Sequence, residues 1–475
     1  MLTKSDFLQY LNSPLHLWAK KHDKITRSPS AFDVHIMNQG YKVEKLSKEF
    51  LETYLIRASE NESIVWQKSF SDQHYTLRSD ALVYKPKSDS YDLYEIKSGT
   101  SVKRENYYDV AYQYLIISKK HKIDRLFILH LNKNYIRENE LDIEQLFIAV
   151  DITEKVLEIS NEVKIARSKA WKTAHSKSSK GIEHCYKPDY CPCPDLCHPH
   201  LPDFSIYDIP RITEGKKKEL LAMGVLDAKN IPNTFPLNLK QRLIAGLAKS
   251  KQEYIDHQAI QKEMENFNFP LYFLDYETFI SAIPLYDGYH AQQQMVFQYS
   301  LHKMGSNGDK CEHTEYLSTE NEEPSRALIK KLSVEIGTTG TVFVWFKPFE
   351  MTRNKELALL HADYADFFIG LNERIYDLGD FVNFGYYLHP NFKGSWSIKN
   401  VLPVMVPELS YEDMEIGKGD QAMMAWRDMI NGDMTDGEKK KTKEALLKYC
   451  ELDTLGMVRI FQKLWEIYQG HPKFT

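Results

Sequence analysis

The segment "LYFLDYETFISAIP" (residues 271–284) constrains the fold more than any other part of the sequence. Apolar and aromatic residues run from Leu271 directly into Asp275 and Glu277. Because side chains alternate along a strand, this spacing places both carboxylates on one face. Adjacent like charges destabilise a strand unless something offsets them. A divalent cation would do so, and so would a neighbouring Lys or Arg or plain solvent at a strand end.

Length and composition limit the classes of protein that fit this chain. The 475 residues predict two to four domains at ~100–200 residues each. With 43% hydrophobic and 27% charged residues, the composition is globular. Strand-sized apolar runs alternate with helical patterns, which favours an α/β fold. The net charge of −5 argues against a wholly basic, histone-like protein, but it allows nucleic-acid binding in a local groove.

Targeting signals and cysteine usage predict a cytoplasmic protein. The N-terminal segment "MLTKSDFLQYLNSP" lacks the basic-then-apolar order of a signal peptide. The longest apolar runs are strand-sized and far below the ~18 residues of a membrane helix, so no membrane association is expected. Four of the six cysteines fall within Cys185–Cys197, which does not suit a disulfide framework.

A first set of chemically active residues lies in "LRSDALVYKPKSDSYDLYEIKSGT". Its two apolar runs predict a hairpin with "KPKSDS" as the turn. Glu95 and Lys97 share one strand face, and Asp80 on the neighbouring strand reaches that face. Two carboxylates would hold Mg²⁺ or Mn²⁺, and the lysine would orient or deprotonate the attacking water. The alternative is an exposed hairpin with a cross-strand ion pair.

The order Asp80, Glu95-x-Lys97 and Gln113-Tyr114 resembles the PD-(D/E)XK nucleases of the RecB type. The resemblance implies that the two acids bind metal, that Lys97 is catalytic and that Gln113, on a helix, supports the site. The segment "GYKVEKL" resembles the upstream helix of that family, and this places Glu44 where a His or Glu often lies. The resemblance covers about the first third of the chain.

The segment "HCYKPDYCPCPDLCHPH" predicts a metal centre. Its thiols suit Zn²⁺ or an iron–sulfur cluster, and they belong to Cys185, Cys191, Cys193 and Cys197. RecB-type nucleases often carry an iron–sulfur cluster just after the nuclease core, with one further cysteine near the N-terminus. Here Ser13 occupies the position expected for that cysteine. Three outcomes therefore stay open: Cys193 completes a [4Fe–4S] cluster, the site binds zinc, or the site is degenerate.

A second set of residues joins the opening strand to the C-terminal helix. In "EALLKYCELDTLGMVRIFQKLW", Tyr449 and Asp453 are spaced i, i+4 and share a helix face. The tyrosine could hold a water while the aspartate binds metal. Together with Asp275 and Glu277, this pair resembles the DEDD exonucleases of the RNase H-like class. The resemblance implies a two-metal site and 3′→5′ release of mononucleotides.

The DEDD class requires one more carboxylate between the strand and the helix. The best candidate is Glu350, where "VFVW" predicts a strand and "FE" begins the next helix. The usual Asn-x-x-Phe-Asp pattern of the class is replaced here by Phe346 for the Asn and Glu350 for the Asp. Asp377 in "RIYDLGDF" is the second candidate.

Two further segments bear on nucleic-acid binding. "YDIPRITEGKKKELLAMGVLDAKNIP" resembles a helix-hairpin-helix without its Gly-x-Gly, and the alternative is a small helical spacer. The other segment carries cations without an intervening acid, and it is either a solvated helix face and linker or a phosphate-contacting stripe. Its cations are Lys164, Arg167, Lys169, Lys172, Lys177 and Lys180.

These patterns together predict a RecB-like nuclease with its cysteine cluster over residues 1–200, a helical connector over 201–265 and an RNase H-like exonuclease over 266–475. "SLHKM" and "FKGSWSIKNVLP" also resemble a bacterial family that fuses these two nuclease types. We expect Mg²⁺- or Mn²⁺-dependent hydrolysis of nucleic acid, with DNA favoured over RNA. The rival expectation is a non-catalytic or single-activity nucleic-acid-binding scaffold that retains degenerate nuclease folds.

Overall fold

The chain folds into two compact units, seen here in a computed structural model. Unit 1 and unit 2 each combine a five-stranded mixed sheet with flanking helices, which confirms the predicted α/β class. The structure describes residues 1–56, 62–305, 311–432 and 434–470. Unit 1 comprises Met1–His200 and Ser281–Gln293, and unit 2 comprises Leu201–Ile280 and Gln294–Thr475.

Unit 1 contains the first seven strands and the first seven helices of the described chain. The strands are β1 (Ser63–Trp66), β2 (Ser69–Asp72), β3 (Tyr75–Arg78), β4 (Ala81–Lys85), β5 (Ser90–Lys97), β6 (Ile123–Leu131) and β7 (Phe147–Asp151). The helices are α1 (Lys4–Asn12), α2 (Pro14–Lys21), α3 (Ala31–Phe50), α4 (Arg104–Ile117), α5 (Ile143–Leu146), α6 (Thr153–Ala174) and α7 (Pro194–Cys197).

The main sheet of unit 1 has the strand order β1-β4-β5-β6-β7, and only β5 and β6 pair in parallel. Alternation along β5 serves two cores. Leu93 packs in a cluster with Val110 of α4, whereas Tyr94 packs in another with Val43 of α3. Helices therefore cover both faces of the sheet. This arrangement buries the end of β5, where Glu95 and Lys97 lie.

Unit 2 contains the remaining elements. The strands are β8 (Tyr254–Ile255), β9 (Leu271–Ile280), β10 (Gln294–Met304), β11 (Glu312–Leu317), β12 (Thr341–Val344), β13 (Ile375–Asp377) and β14 (Tyr387–Leu388). The helices are α8 (Glu214–Ala222), α9 (Leu239–Ser250), α10 (His257–Met264), α11 (Ser325–Glu335), α12 (Lys347–Leu360), α13 (Ala365–Glu373), α14 (Asp380–Asn383), α15 (Ile398–Met405), α16 (Gly419–Asn431) and α17 (Asp436–Gln469).

The main sheet of unit 2 has the order β11-β10-β9-β12-β13, with β9 in the centre. β9 runs antiparallel to β10 and parallel to β12. Phe273 packs in one core with Phe461 of α17, whereas Leu274 packs in the opposite core with Leu328 of α11. The odd-numbered residues of β9 therefore face α17, and Asp275 continues that row.

The predicted connector, residues 201–265, packs into unit 2. Ile206, Leu220 and Ile244 belong to the same core as Phe273 of β9. Helices α8 and α9 are separated by residues 223–238, which contain one short 3₁₀ turn at Ala228–Asn230. The two helices are thus joined by a long connection rather than by a tight hairpin.

Within the described residues, every helix is too short or too polar to cross a membrane.

Candidate active sites and metal centre

The acidic site of unit 2 begins with the two carboxylates of β9. Asp275 pairs with Ser300 and Glu277 pairs with Gln298 across the β9–β10 ladder. One oxygen of each carboxylate and the thiol of Cys450 on α17 all lie within 4.8 Å of one another. Cys450 Sγ is 3.5 Å from Asp275 Oδ2. The strand pair predicted from alternation therefore forms one acidic surface beneath α17.

Helix α17 supplies the next acid, Asp453, because the buried face of the helix includes polar residues. Tyr449, Cys450, Asp453 and Met457 recur at helical spacing and are all buried. Tyr411 from a preceding loop donates a hydrogen bond to Asp453 Oδ1 at 2.5 Å. Asp453 thus lies against the sheet instead of in solvent.

Glu350 lies in the first turn of α12 and is 2% exposed. Its Oε2 is buried and has no hydrogen-bond partner within the described residues. The charge of Asp275 acts on Glu350, and the charge of Glu350 acts on Glu277, so Glu350 lies near both acids of β9. A buried carboxylate oxygen without a donor is the feature expected of an unfilled cation ligand.

Asp377 has a different environment, because its oxygens already accept backbone hydrogen bonds. Oδ1 accepts from the N–H groups of Phe346 and Gly379, and Oδ2 accepts from the N–H of Lys347. Phe346 has a φ of 83°, a left-handed conformation that is strained for a bulky residue. Asp377 therefore holds the turn that begins α12, and so positions Glu350.

Lys399 is the ammonium group nearest to the acids of β9 and α17. Its Nζ donates to the hydroxyl of Tyr449 at 3.0 Å and to the carbonyl of Gly417 at 3.1 Å. Its charge offsets only part of the rise that burial causes in the pKa of Asp275 and of Asp453. Tyr449 is thereby held with its oxygen in the acidic site.

The four acids are held together against their mutual repulsion. Burial, and then the charges of neighbouring carboxylates, raise the pKa of Asp275 and of Glu277 well above the ordinary values. Burial and the charge of Asp275 do the same to the pKa of Glu350. Burial raises the pKa of Asp453 to about 6. Hard oxygen ligands in excess of nearby cations are what Mg²⁺ and Mn²⁺ bind, so the residues fit a divalent ion.

The acidic site of unit 1 has a different charge balance. Lys97 Nζ lies 2.6 Å from Glu95 Oε1 and 2.7 Å from Asp109 Oδ2. Gln113 donates to Glu95 Oε2 at 2.6 Å and to Asp109 Oδ1 at 3.1 Å. The structure thus brings together the strand and helix residues predicted from the sequence, and Asp109, which helical spacing places on the same face as Gln113, lies with them.

Lys4 of α1 also enters this site. Its Nζ lies 2.7 Å from Glu95 Oε1, the same oxygen that Lys97 contacts. Asp80 is near, because its Oδ2 accepts the N–H of Ile96 at 2.9 Å. No local pattern in the sequence indicates Lys4, which is 91 residues from Glu95.

The two lysines set the protonation of the unit 1 acids. Burial favours the neutral form of Glu95, but the ammonium groups of Lys4 and Lys97 hold its pKa well below the ordinary value. Burial and the charge of Glu95 raise the pKa of Asp80 to about 7. Both oxygens of Glu95 are already occupied by the chain's own donors. A metal ion at Glu95 must therefore compete with an ammonium group.

Glu44 lies beside this site and makes other contacts. It accepts a short hydrogen bond from Gln67, and Lys48 is 3.9 Å away. The backbone N–H of Gln67 donates to the carbonyl of Asp80 at 2.9 Å. Gln67 thus links Glu44 to Asp80 through two hydrogen bonds.

A cleft of about 930 Å³ leads to Lys97 and Asp109. Helix α1 contributes Ser5 and Gln9 to one wall, and helix α4 contributes Arg104 to the other. The cleft is open to solvent, and it places Arg104 and Lys97 where a substrate could reach them.

The cysteine cluster is completed by a histidine from the N-terminal region. Ligand atoms of His16, Cys191, Cys193 and Cys197, all buried, lie within 4.8 Å of one another. Cys193 Sγ and Cys197 Sγ are 3.6 Å apart, and His16 Nε2 is 3.4 Å from Cys191 Sγ. His16 lies on α2, three residues after Ser13, where the sequence resemblance places a cysteine.

A second, overlapping group shares one thiol with the first. Ligand atoms of Cys185, Cys191 and His198 lie within 4.8 Å of one another. Cys185 Sγ is 3.2 Å from His198 Nε2. All four predicted cysteines therefore converge, with two imidazoles among them.

The run of cations between Lys164 and Lys180 is only partly exposed on the surface. Arg167 is 5% exposed, and its guanidinium lies 4.4 Å from the ring centre of Tyr75. Its packing role makes it unavailable for phosphate. The other cations of the stripe are exposed, namely Lys164, Lys169, Lys172, Lys177 and Lys180.

Comparison with known proteins gives two matches. A family model described as a domain of unknown function, DUF2779, matches residues 272–397, which include Asp275, Glu277 and Glu350. "Uncharacterized protein UU173" of Ureaplasma parvum serovar 3 is 28% identical over 209 residues, which is 40% of this chain. The match spans about 30% of that relative's length.

Proposed function

We propose that this chain is a metal-dependent nuclease whose unit 2 releases mononucleotides from the 3′ ends of nucleic acid, with DNA favoured over RNA. The observation that carries the proposal is the convergence of Asp275, Glu277, Glu350 and Asp453. All four have raised pKa values, and Lys399 is the ammonium group that acts on Asp275, Glu277 and Asp453. The resemblance to DEDD exonucleases supplies the reaction type.

Mg²⁺ or Mn²⁺, when bound, would polarise the scissile phosphate and lower the pKa of the attacking water. The chain's own residues then have distinct roles. The carboxylates of Asp275, Glu277 and Asp453 would hold the ions. Tyr449, fixed by the hydrogen bond from Lys399, would orient the water. Lys399 would also offset charge that develops on the phosphate oxygens.

Glu350 would be the remaining ligand of this site. Its side chain is one methylene longer than the aspartate usual in the resembling class. The longer reach predicts a looser metal cage, and so weaker activity or a preference for Mn²⁺. The unpartnered Oε2 of Glu350 supports a ligand role over a structural one.

For unit 1 we propose a second nuclease site, in which Asp80 and Glu95 hold a divalent ion and Lys97 acts on the water. One observation favours the rival role of a binding scaffold in this unit. Lys4 and Lys97 already neutralise Glu95, so the site is stable without a metal. In that case the cleft beside Lys97 would bind nucleic acid without cutting it.

For the cysteine cluster we propose one structural metal ion held by His16, Cys191, Cys193 and Cys197. Three thiolates and one imidazole form a set that tetrahedral Zn²⁺ accepts, whereas iron–sulfur clusters are mostly held by four cysteines. This set fits zinc, and a [4Fe–4S] cluster held by all four cysteines is the alternative, because Cys185 converges with the other three thiols. Reduced thiols also suit the cytoplasm as the compartment.

The test uses the full chain on linear and circular DNA and RNA, each labelled at the 5′ or 3′ end, with Mg²⁺ or Mn²⁺. We expect labelled mononucleotides from 3′ ends with wild type and Lys97→Ala, but not with Asp275→Asn. Cutting of circular DNA should be lost in Lys97→Ala only. Salt-dependent binding without cleavage of any substrate in Mn²⁺ would overturn the catalytic proposal and favour the scaffold.

A further inference from the structure

A second cluster of ligand-type side chains lies in unit 2, on strands β10 and β11 and on helix α17. Ligand atoms of His302, His313 and Glu451 all lie within 4.8 Å of one another. The two imidazole rings are 4.5 Å apart with an interplanar angle of 29°. His302 is 4% exposed, whereas His313 and Glu451 are partly exposed. The cluster thus combines a buried ligand with an opening to solvent.

The hydrogen bonds around the cluster determine which ring nitrogens carry protons. The hydroxyl of Thr454 donates to the carbonyl of Glu451 at 3.1 Å, so its oxygen can only accept from other groups. With this hydroxyl orientation, His302 Nδ1, 2.8 Å away, donates to Thr454. Ser300, 2.7 Å from Thr454, must donate to it as well. The Ser300 oxygen then accepts from His313 Nε2 at 2.9 Å.

This chain of donors leaves a lone pair on Nε2 of His302 and on Nδ1 of His313. Burial, and then the nearby His313, lower the pKa of His302 to about 4, so that ring is neutral near pH 7. An imidazole whose other N–H is fixed by a hydrogen bond is the usual state of a metal-binding histidine. His302 therefore has the neutral state and the hydrogen-bonded second nitrogen that metal-binding histidines have.

The position of Glu451 favours a cation at this cluster. Its Oε1 lies 3.8 Å from Nδ1 of His313, the nitrogen that carries a lone pair. Two acceptors that face each other at this distance repel, and either a metal ion between them or a proton on Nδ1 offsets the repulsion. Glu315 does not relieve this, because its Oε2 is 4.0 Å from the opposite nitrogen, Nε2.

We propose that His302 Nε2, His313 Nδ1 and Glu451 bind a divalent transition-metal ion, of which Zn²⁺ is the best fit. Two imidazoles and one carboxylate form a ligand set that zinc accepts, with one position open to water. Mg²⁺ prefers oxygen ligands and is not expected here. The ion would tie α17 to β10 and β11, beside Asp453. This proposal does not depend on nuclease activity.

The test measures zinc bound per chain by equilibrium dialysis of the full-length protein, at micromolar free zinc with excess Mg²⁺ to occupy the oxygen sites. His313→Gln and Glu451→Gln should each bind one zinc ion fewer than wild type. Glu315→Gln is the matched control, since it removes a carboxylate from the other side of His313, and it should keep the wild-type count.

Thr454→Val tests the tautomer argument, because it removes the hydroxyl that fixes His302 while keeping the shape. We expect zinc at this site to bind about 10–100-fold more weakly in this variant. Circular dichroism checks that each variant is folded. If His313→Gln does not fold, Glu451→Gln, at a partly exposed position, tests the proposal in its place.

Equal zinc counts and affinities in wild type, His313→Gln and Glu451→Gln would overturn the proposal. So would nitrogen-detected NMR that shows both nitrogens of His313 protonated in the presence of zinc, because the contact with Glu451 would then be an imidazolium–carboxylate pair.

Discussion

The acidic sites of the two units reach stability by opposite routes. In unit 1, the carboxylates of Glu95 and Asp109 lie against the ammonium groups of Lys4 and Lys97, and the pKa of Glu95 is held low. In unit 2, Asp275, Glu277 and Asp453 lie near Lys399 and Glu350 lies near Arg353, yet the pKa values of all four carboxyl groups are raised. The same residue type is thus compensated by the chain in one unit and left uncompensated in the other.

This difference shows that a count of acids is a poor predictor of a metal site. Uncompensated buried carboxylates must either take up protons or bind a cation, so unit 2 has the stronger need for metal. In unit 1, Glu95 is already paired with two lysines, so a metal at Glu95 must displace an ammonium group, although burial still raises the pKa of Asp80 and of Asp109. We therefore expect unit 2 to bind divalent ions more tightly than unit 1.

The largest effect is expected from a substitution that removes a metal ligand from the unit 2 site. Asp275→Asn should lower Mn²⁺-dependent release from 3′ ends by about 100-fold or more, because a charged ligand at the reacting phosphate is lost. Glu444→Gln, an exposed acid on the same helix as Asp453, is the control and should be unchanged. The assay is release of 3′-labelled nucleotide by the full chain. Undiminished release by Asp275→Asn would assign the activity elsewhere.

The next effect follows from the raised pKa values of unit 2. Since Asp453 has a pKa of about 6 without metal, it must lose a proton to bind an ion. Below about pH 6, each pH unit should weaken Mn²⁺ binding about tenfold for each proton released. Calorimetry at two pH values, in buffers of different ionisation enthalpy, measures both the affinity and the protons released. In unit 1, only Asp80 of the two proposed ligands has a raised pKa, about 7, so fewer protons should be released there when the ion binds. Equal pH dependence in Asp275→Asn and wild type would contradict the difference between the units.

A smaller effect is expected when one of the ammonium groups that compensate Glu95 in unit 1 is removed, which makes the site more like that of unit 2. Lys4→Met removes one ammonium group from Glu95 while keeping the length of the side chain. We expect Mn²⁺ to bind about tenfold more tightly at the unit 1 site, since one competing charge is gone. The measurement is Mn²⁺ calorimetry on the full chain in an Asp275→Asn background, which disables the other site. The control is Lys20→Met, whose lysine pairs with Asp6 instead. Unchanged affinity would mean that Lys4 does not compete with metal.

The sequence predicted local relationships well and distant ones poorly. Alternation along β9 joins Asp275 to Glu277, and helical spacing joins Tyr449 to Asp453, because each pair lies within one element. Lys4 was missed because its partner is far away in sequence, and only the packing of α1 against the sheet brings them together.

Two further residues show where sequence reasoning reached its limit. His16 was missed, although a ligand was expected near Ser13, because a histidine on an amphipathic helix is indistinguishable from a core residue. Asp377 was predicted as a second candidate ligand. Its three backbone hydrogen bonds depend on the left-handed turn at Phe346, and no sequence pattern indicates that turn.

The smallest expected effect concerns stability without metal. An acid whose pKa is raised in the folded state makes the protein less stable as the pH rises above its ordinary value, because the unfolded chain releases the proton more readily. Asp275→Asn removes this loss, and it should therefore raise the melting temperature of the metal-free protein. The gain should be near zero at about pH 4 and grow toward about pH 7, by about 2–4 °C for each kcal/mol.

Calorimetry in chelator, on wild type and on Asp275→Asn and Glu444→Gln, measures this gain. Glu95 in unit 1 is expected to have the opposite effect on the stability of the folded protein. Its lowered pKa stabilises the fold at neutral pH, and this contribution is lost as the pH falls, so Glu95→Gln should lower the melting temperature near pH 7. Opposite signs for the two substitutions express the difference between the units directly. If Asp275→Asn lowered the melting temperature as Glu95→Gln does, the carboxylates of unit 2 would be compensated by the chain after all, and their need for a metal ion would disappear.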